Sequence, residues 1–292
     1  MAALTKKHTK RFAQISSFIL TLIAFFQCAV IPLNVEAASP YVLNNGALRF
    51  GTGSQDSINS TGNLNQPFYY NPIYLNDKLD PWRPLTFSNY PLDFEIMEGE
   101  DATVGTTWWN REGAAITNPP LTDLAIDYSG LTQDTVNGRG TGVITTSGTV
   151  NINGKSLKIF NTYTLPENKS FIKVTTRFKN TSSSRMTNLR YWVGTQDDWI
   201  GQTDRPSKIK GNIVNGEFTK ITAADFKARA LKIFTGSEGV LFYTDTDKAN
   251  IIVGNRYGWY NVQNQNPATS SIESSGDQSY AFYVRLNDLD SN

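Results

Sequence analysis

The sequence predicts an all-β protein, a large antiparallel β-sandwich with at most one short helix, and three observations carry that expectation. Asn-Gly occurs four times, at Asn45-Gly46, Asn137-Gly138, Asn153-Gly154 and Asn215-Gly216. The pair tolerates positive φ at both central positions of a two-residue hairpin turn. The segment FIKVTTRF, residues 171–178, sets Phe171, Lys173, Thr175 and Arg177 against Ile172, Val174, Thr176 and Phe178, the period of a half-buried strand. Nowhere does an apolar stripe at i, i+3, i+4, i+7 persist for three helical turns.

The first element is a leader rather than part of the fold. Lys6, Lys7, Lys10 and Arg11 precede an apolar run from Phe18 to Leu33, and Val35 and Ala37 are small or aliphatic. Charged head, apolar centre and small-residue cut site make residues 1–37 a secretory signal peptide, with cleavage expected after Ala37. An uncleaved anchor fits less well, because Pro32 interrupts a run already shorter than a span of roughly 18–20 residues. The protein is therefore expected outside the cytoplasm: secreted, on the cell surface or periplasmic.

Cleavage removes the sole histidine, His8, and the sole cysteine, Cys28. Residues 38–292 then have no disulfide, no Cys/His zinc site, no Cys nucleophile and no Ser-His-Asp triad. Catalysis, if any, is left to carboxylates, Tyr, Lys, Arg or a hard metal. An exported domain without disulfides suits a bacterial product, and this one is long enough to bury most of its unfolded surface. The leader takes four cations and only Glu36, so the remaining charge is about −2, with no basic cluster to suggest nucleic acid or an anionic membrane as partner.

Residues 38–292 read as one β-rich domain whose first third, about residues 51–125, is loop-rich. Asn45-Gly46 separates Val42-Leu43 from Ala47–Phe50, and Asn153-Gly154 separates Thr149–Ile152 from Ser156–Phe160. Ser237-Glu238-Gly239 likewise parts LKIF from VLFYT. A short helix is expected at Ala223–Arg229, with Thr222 as N-cap and Asp225 closing a capping box. Tyr280–Leu286 reads as a core strand.

The passage TYTLPENKSFIKVTTRFKNTSSSRMTNLRYWVGTQDDW, residues 162–199, resembles the β super-sandwich of galactose-mutarotase-like domains. It has a strand ending in Lys179-Asn180-Thr181-Ser182, a short turn, and a second strand entering a loop with acids. Such domains occur in carbohydrate-active enzymes and bacterial surface proteins. The mutarotases rely on histidines that residues 38–292 lack, so the resemblance implies a sugar-contacting or structural use of the scaffold, not that activity.

Candidate ligand-binding residues are Trp199, Asp197, Asp198, Arg205, Trp109 and Trp259. Trp rings stack on the C–H faces of sugars, and Asp, Asn and Arg take the hydroxyls; loops on a rigid scaffold present such groups. The alternative places Trp192 in the core and leaves Asp197-Asp198 and Asp204-Arg205-Pro206 as turns. Asp197 and Asp198 do not make a glycosidase pair, since neighbours in a strand point oppositely; Glu98, Glu100 or Glu112 would have to supply a partner. Asp245, Asp247 and Asn250 have oxygen-ligand spacing that admits calcium, without the full calcium-loop pattern; otherwise no cofactor is expected. GTGSQDSINSTG, residues 51–62, lacks the GK[ST] ending of a phosphate loop. Asn59, Asn168 and Asn180 begin glycosylation sequons. The composite expectation is a secreted or cell-surface carbohydrate-binding or adhesion domain. A polysaccharide-degrading enzyme on the same scaffold and a purely structural extracellular domain are the alternatives.

Overall fold

Local turn chemistry sets the register of two of the hairpins. In the computed structural model, Asn153 and Gly154 take φ of 51° and 76°, and Asn215 and Gly216 take 52° and 84°. Both pairs therefore adopt the left-handed geometry of a two-residue hairpin turn. The structure describes residues 40–52, 54–88, 90–99, 116–225, 227–255 and 271–291, all inside one compact unit, Ser39–Asn292. The expected leader, residues 1–37, lies outside them.

In chain order the elements begin with β1 (Leu48–Phe50), β2 (Pro67–Tyr70), α1 (Ile73–Asn76), β3 (Trp82–Pro84), β4 (Asp93–Met97), β5 (Ile116–Thr117) and β6 (Thr122–Asp134). There follow β7 (Arg139–Ile152), β8 (Lys155–Leu165), β9 (Lys173–Asn180), β10 (Met186–Thr195), β11 (Ser207–Val214) and β12 (Glu217–Lys220). The last are β13 (Ala230–Thr235), β14 (Glu238–Tyr243), β15 (Ala249–Asn255), β16 (Glu273–Ser275) and β17 (Gln278–Leu289). The protein is nearly all β, 57% strand and 2% helix, and every sheet is antiparallel.

The strands form four sheets, ordered β1-β2-β3, β6-β7-β8-β9, β15-β17-β10-β4-β5 and β12-β11-β13-β14, with β16 on β11. Their arrangement is a four-blade, propeller-like ring rather than the two layers of the expected sandwich. Of four separate cores, three lie between neighbouring sheets and explain the difference. Phe94, Ile96 and Tyr191 meet Val150, Ile152, Leu157 and Ile159. Farther along β17, Tyr280 and Phe282 join Ile251, Leu231 and Ile233. Leu43, Phe50, Ile58 and Leu64 pack on Ile144, Tyr163 and Leu165. Each core glues one neighbouring pair of sheets. Hairpin signals specify pairing inside a sheet, whereas the stacking of sheets depends on contacts far apart in sequence.

Two expectations are corrected in detail. Within Ala223–Arg229 the described residues form a turn at Ala223-Ala224 and no helix, although Asp225 Oδ2 accepts from Thr222 N (2.7 Å) and Oγ1 (2.9 Å) as a capping box would. Tertiary pairing takes the backbone that a helix would need: Ala228 N donates to Asn250 Oδ1 (2.8 Å), and Ile251 N donates to Ala228 O (2.7 Å). The helix lies instead at α1. The Ser237-Glu238-Gly239 turn sits one residue earlier, so that Glu238 opens β14.

Gly194, on β10, tests the central pairing. A Cβ there would lie 2.0 Å from Tyr280 O and 2.6 Å from Ala281 Cα, both backbone atoms of β17. Gly194→Ala is expected to cost more than about 3 kcal/mol in urea unfolding, because the two strands must part. Gly216→Ala, whose Cβ meets open space, should cost only about 1–2 kcal/mol of left-handed strain. Comparable losses in the two variants would contradict this account.

Candidate functional site

Strand β10 delivers the loop 196–206, and the loop is pinned at its start. Gln196 N donates to Asp93 Oδ2 (2.9 Å), and Asn118 Nδ2 holds Asp93 Oδ1 (2.7 Å). Asp197 is buried; its carbonyl accepts from Thr195 Oγ1 (3.0 Å) and from Phe87 N (3.2 Å). Asp198 exchanges a backbone bond with Gln278 O, and its Oδ1 accepts from Gln278 N (3.2 Å).

Beneath the loop, Asp198 Oδ2 lies 2.5 Å from Lys208 Nζ, with both side chains 1% exposed. Nζ also donates to the carbonyls of Pro206 (3.2 Å) and Gly276 (3.0 Å). Burial pushes the Asp198 carboxyl up to about 7, against the opposing charge of Lys208. Burial likewise lowers the Lys208 ammonium, against the pull of Asp198. This is a buried ion pair that holds a loop, and neither charge faces solvent.

Beyond Asp198 the chain presents groups outward. The Trp199 ring lies 5.7 Å from Phe87, and Phe87 lies 6.5 Å from Tyr90. Trp199 and Phe87 are half-buried and Tyr90 is exposed, so the three rings form an accessible aromatic ledge. Trp199 Nε1 donates to Gly201 O (3.2 Å), which also accepts from Arg83 Nε (3.1 Å) and Nη2 (2.9 Å). Gly201 N donates to Tyr69 Oη (2.9 Å). The Tyr69 hydroxyl in turn donates to Glu238 Oε2, and the Tyr74 hydroxyl donates to Oε1 at 2.5 Å.

The local sequence explains the convergence. In the β2–β3 ribbon Tyr69 pairs directly with Arg83, so both project from one face, whereas Tyr70 and Trp82 project from the other. Helix α1 brings Tyr74 beneath Arg83, whose guanidinium sits 4.5 Å over the ring. Gly201 has φ +61°, and a Cβ there would lie 3.2 Å from Glu238 Oε1 and 3.3 Å from Tyr74 Oη. Only glycine lets the backbone come so close. Burial pushes the Glu238 carboxyl up, but bonds from Tyr69, Tyr74 and Asn71 and the charge of Arg83 outweigh it and hold the group below its ordinary value. Burial and the same carboxylate raise the pKa of Tyr69 and Tyr74. Glu238 is an anion and both phenols are donors at neutral pH.

Of the residues singled out in the sequence, Trp199 belongs to this site, and Asp197 and Asp198 support it from below. Arg205 is largely exposed and lies 4.0 Å from Asp204. Trp109 and Trp259 lie outside the described residues, as do Glu100 and Glu112. Glu98 is bound by Lys155 Nζ (2.6 Å), Asn153 Nδ2 (3.0 Å) and Thr187 N (3.0 Å), a cross-link between sheets. Asp245 and Asp247 are exposed; their carbonyls accept from Arg229 and Lys227, and the Asn250 amide is spent on Ala228 N. Among the described residues no group of three His, Cys, Asp or Glu side chains is placed to hold a metal. Asn180 is buried and donates to Ser184 O and Leu289 O, which removes it as a glycosylation acceptor.

Tyr69, Tyr74, Arg83 and Glu238 carry the site but stand out only faintly in the sequence. The signal available is aromatic density, PFYYNPIYLNDKLDPWRP, in a stretch otherwise composed like a loop. A second polar concentration lies on the far face of the five-stranded sheet, where one register row runs Asn250, Tyr283, Trp192, Glu95. All four are fully buried, so that face is not open to a ligand. No family model, no curated protein and no solved structure matches the chain.

The ion pair gives a pH-dependent signature. Asp198 has a folded pKa above its unfolded value of about 3.9, so its contribution to stability is full below pH 4 and is lost as pH rises through 7. Lys208→Met strands the carboxylate without its cation. The variant is expected to lose about 3–5 kcal/mol at pH 8 and clearly less at pH 5, where Asp198 is protonated. Denaturant titrations at both pH values check this; an equal deficit at each would refute the buried pair.

Proposed function

We propose that the protein is an exported carbohydrate-binding domain, secreted or held at a cell surface, that seats a saccharide where the aromatic ledge meets the Glu238 network. The observation that carries this reading is a single ionised carboxylate, ringed by phenol donors and an arginine, beside accessible rings. Trp199, Phe87 and Tyr90 offer apolar faces for the C–H surface of a sugar. A carboxylate has about four acceptor sites, and three partners bind Glu238, which leaves room for a sugar hydroxyl. Arg83 keeps N–H groups beyond its bonds to Gly201 and Asp80. Residues 1–37, with their cationic head and apolar run, support export.

The same groups favour binding over bond cleavage. Glycoside hydrolysis takes two carboxylates across the scissile bond, and Glu238 is the one carboxylate in this network among the described residues. A lyase would need a tyrosine able to give up its proton near neutral pH, whereas Tyr69 and Tyr74 are both pushed the other way.

On a glycan array the protein is expected to retain specific saccharides. Trp199→Ala should weaken retention at least tenfold, and Glu238→Gln about 10- to 100-fold, the range for hydrogen bonds to a charged group. Circular dichroism spectra should stay unchanged. Retention of no glycan by the parent protein, or appearance of new reducing ends or unsaturated products, would overturn the reading.

A further inference from the structure

The outer face of β6-β7-β8-β9 carries a second, chemically different surface. Direct cross-strand pairs place Lys158 opposite Lys179, Phe160 opposite Arg177, Thr162 opposite Thr175 and Thr164 opposite Lys173. Paired residues share a face. Their partners on β7 are Thr149, Ser147, Thr145 and Val143. The inner face of β8 is spent on Leu157, Ile159, Tyr163 and Leu165, all buried, while Lys173, Thr175, Arg177 and Lys179 are exposed.

Strands β8 and β9 contain no acidic residue. Lys155 is taken by Glu98, but Lys158, Lys173, Arg177 and Lys179 form no ion pair among the described residues. Arg177 and Lys158 both lie against the Phe160 ring, at 5.2 and 5.3 Å from its centre. Along β9 the cations at 173, 177 and 179 span about 20 Å at the strand rise. Asp127 shares the face only from β6, where it accepts from Ser129 N (2.8 Å). Cations on an edge strand also discourage edge-to-edge pairing; Lys158, one strand inward, is outside that explanation.

We infer that this face docks a linear anionic polysaccharide, with sulfate or carboxylate groups on the cation row and sugar hydroxyls on the flanking Thr and Ser rows. Charge complementarity selects a polyanion. The hydroxyl rows suit a sugar chain, and Phe160 is the one aromatic among these paired residues, where surfaces that stack successive nucleic-acid bases present several rings. The surface is separate from the Glu238 junction and does not depend on the reading given to it.

The test uses the full chain with heparin as the sulfated probe and polygalacturonate as the carboxylate-only probe, measured by titration calorimetry. At least one probe is expected to bind, with affinity falling steeply between roughly 50 and 200 mM salt. The variant K158Q/K173Q/R177Q/K179Q should lose at least tenfold. The control K78Q/K220Q/K232Q/K248Q, with the same change in charge elsewhere, should stay within about twofold, and Trp199→Ala should bind like the parent. Calorimetric melting confirms that each variant is folded. Binding of neither probe, equal loss in both quadruple variants, or tighter binding of oligo(dT) or anionic phosphatidylserine vesicles than of either polysaccharide would overturn the assignment.

Discussion

Strand β10 is paired on both sides, with β17 and with β4, and its alternation divides the chemistry of the molecule. Tyr191 and Val193 feed the apolar cores between sheets, while Arg190 and Trp192 face the other way, where Trp192 packs in a separate buried cluster with Met97, Ile252, Ala281 and Tyr283. Where regular pairing ends, at Thr195 opposite Tyr280, the constraint continues as the two bonds between Asp198 and Gln278. Everything presented by the following loop inherits its position from that extension. Trp199 lies one residue beyond the last anchor and Gly201 three beyond it. The ledge and the Glu238 network are thus held by strand geometry at one remove, which is how a loop acquires the precision a binding site requires.

The anchor is ionic where an apolar one was available, and this has an energetic consequence. A buried ion pair roughly breaks even against well-packed hydrophobic residues, since desolvation offsets most of the Coulomb attraction. Its value here is geometric. Lys208 bonds Asp198 and two carbonyls, Pro206 and Gly276, and so fixes the end of the loop and the approach to β17 with one ammonium. An aliphatic side chain would fill the space without selecting any of those three directions. Lys210, two residues along the same strand and also buried, is lowered to about 8 by desolvation, so that β11 places two costly cations under the same sheet.

Much of the strand structure was legible in local chemistry. Asn153-Gly154 and Asn215-Gly216 close the hairpins that they signal, and Lys173, Thr175 and Arg177 lie outward as the period-two pattern requires. Tyr191 and Trp192 take opposite faces for the same reason. What stayed hidden depends on distant partners. Thr222 and Asp225 make the bonds of a capping box, yet Asn250 and Gly211 claim the backbone at Ala228 and Arg229, and no helix forms among the described residues there. Asp197 and Asp198 have the composition of an exposed turn, and only the fold supplies the lysine that buries one of them. Tyr69, Tyr74, Arg83 and Glu238 come from four elements separated by up to 169 residues, a distance over which no spacing rule operates. Four sheets in place of two follow from the three cores that lie between neighbouring sheets, and no hairpin signal counts cores.

The charge states divide the site into a constant surface and a titrating foundation. Glu238 is held below the usual carboxylate range, and the two phenols that bind it are held above theirs, each shift reinforcing the other through the shared bonds. Across the neutral range the surface that meets a ligand therefore keeps one protonation pattern: anion, two donors, guanidinium. The group beneath it does not. Asp198, near 7, exchanges its proton within that range, and with it the strength of the bond that positions Trp199 and Gly201. Any dependence of binding on pH near neutrality must then pass through loop position, not through the charge of the groups in contact with the ligand.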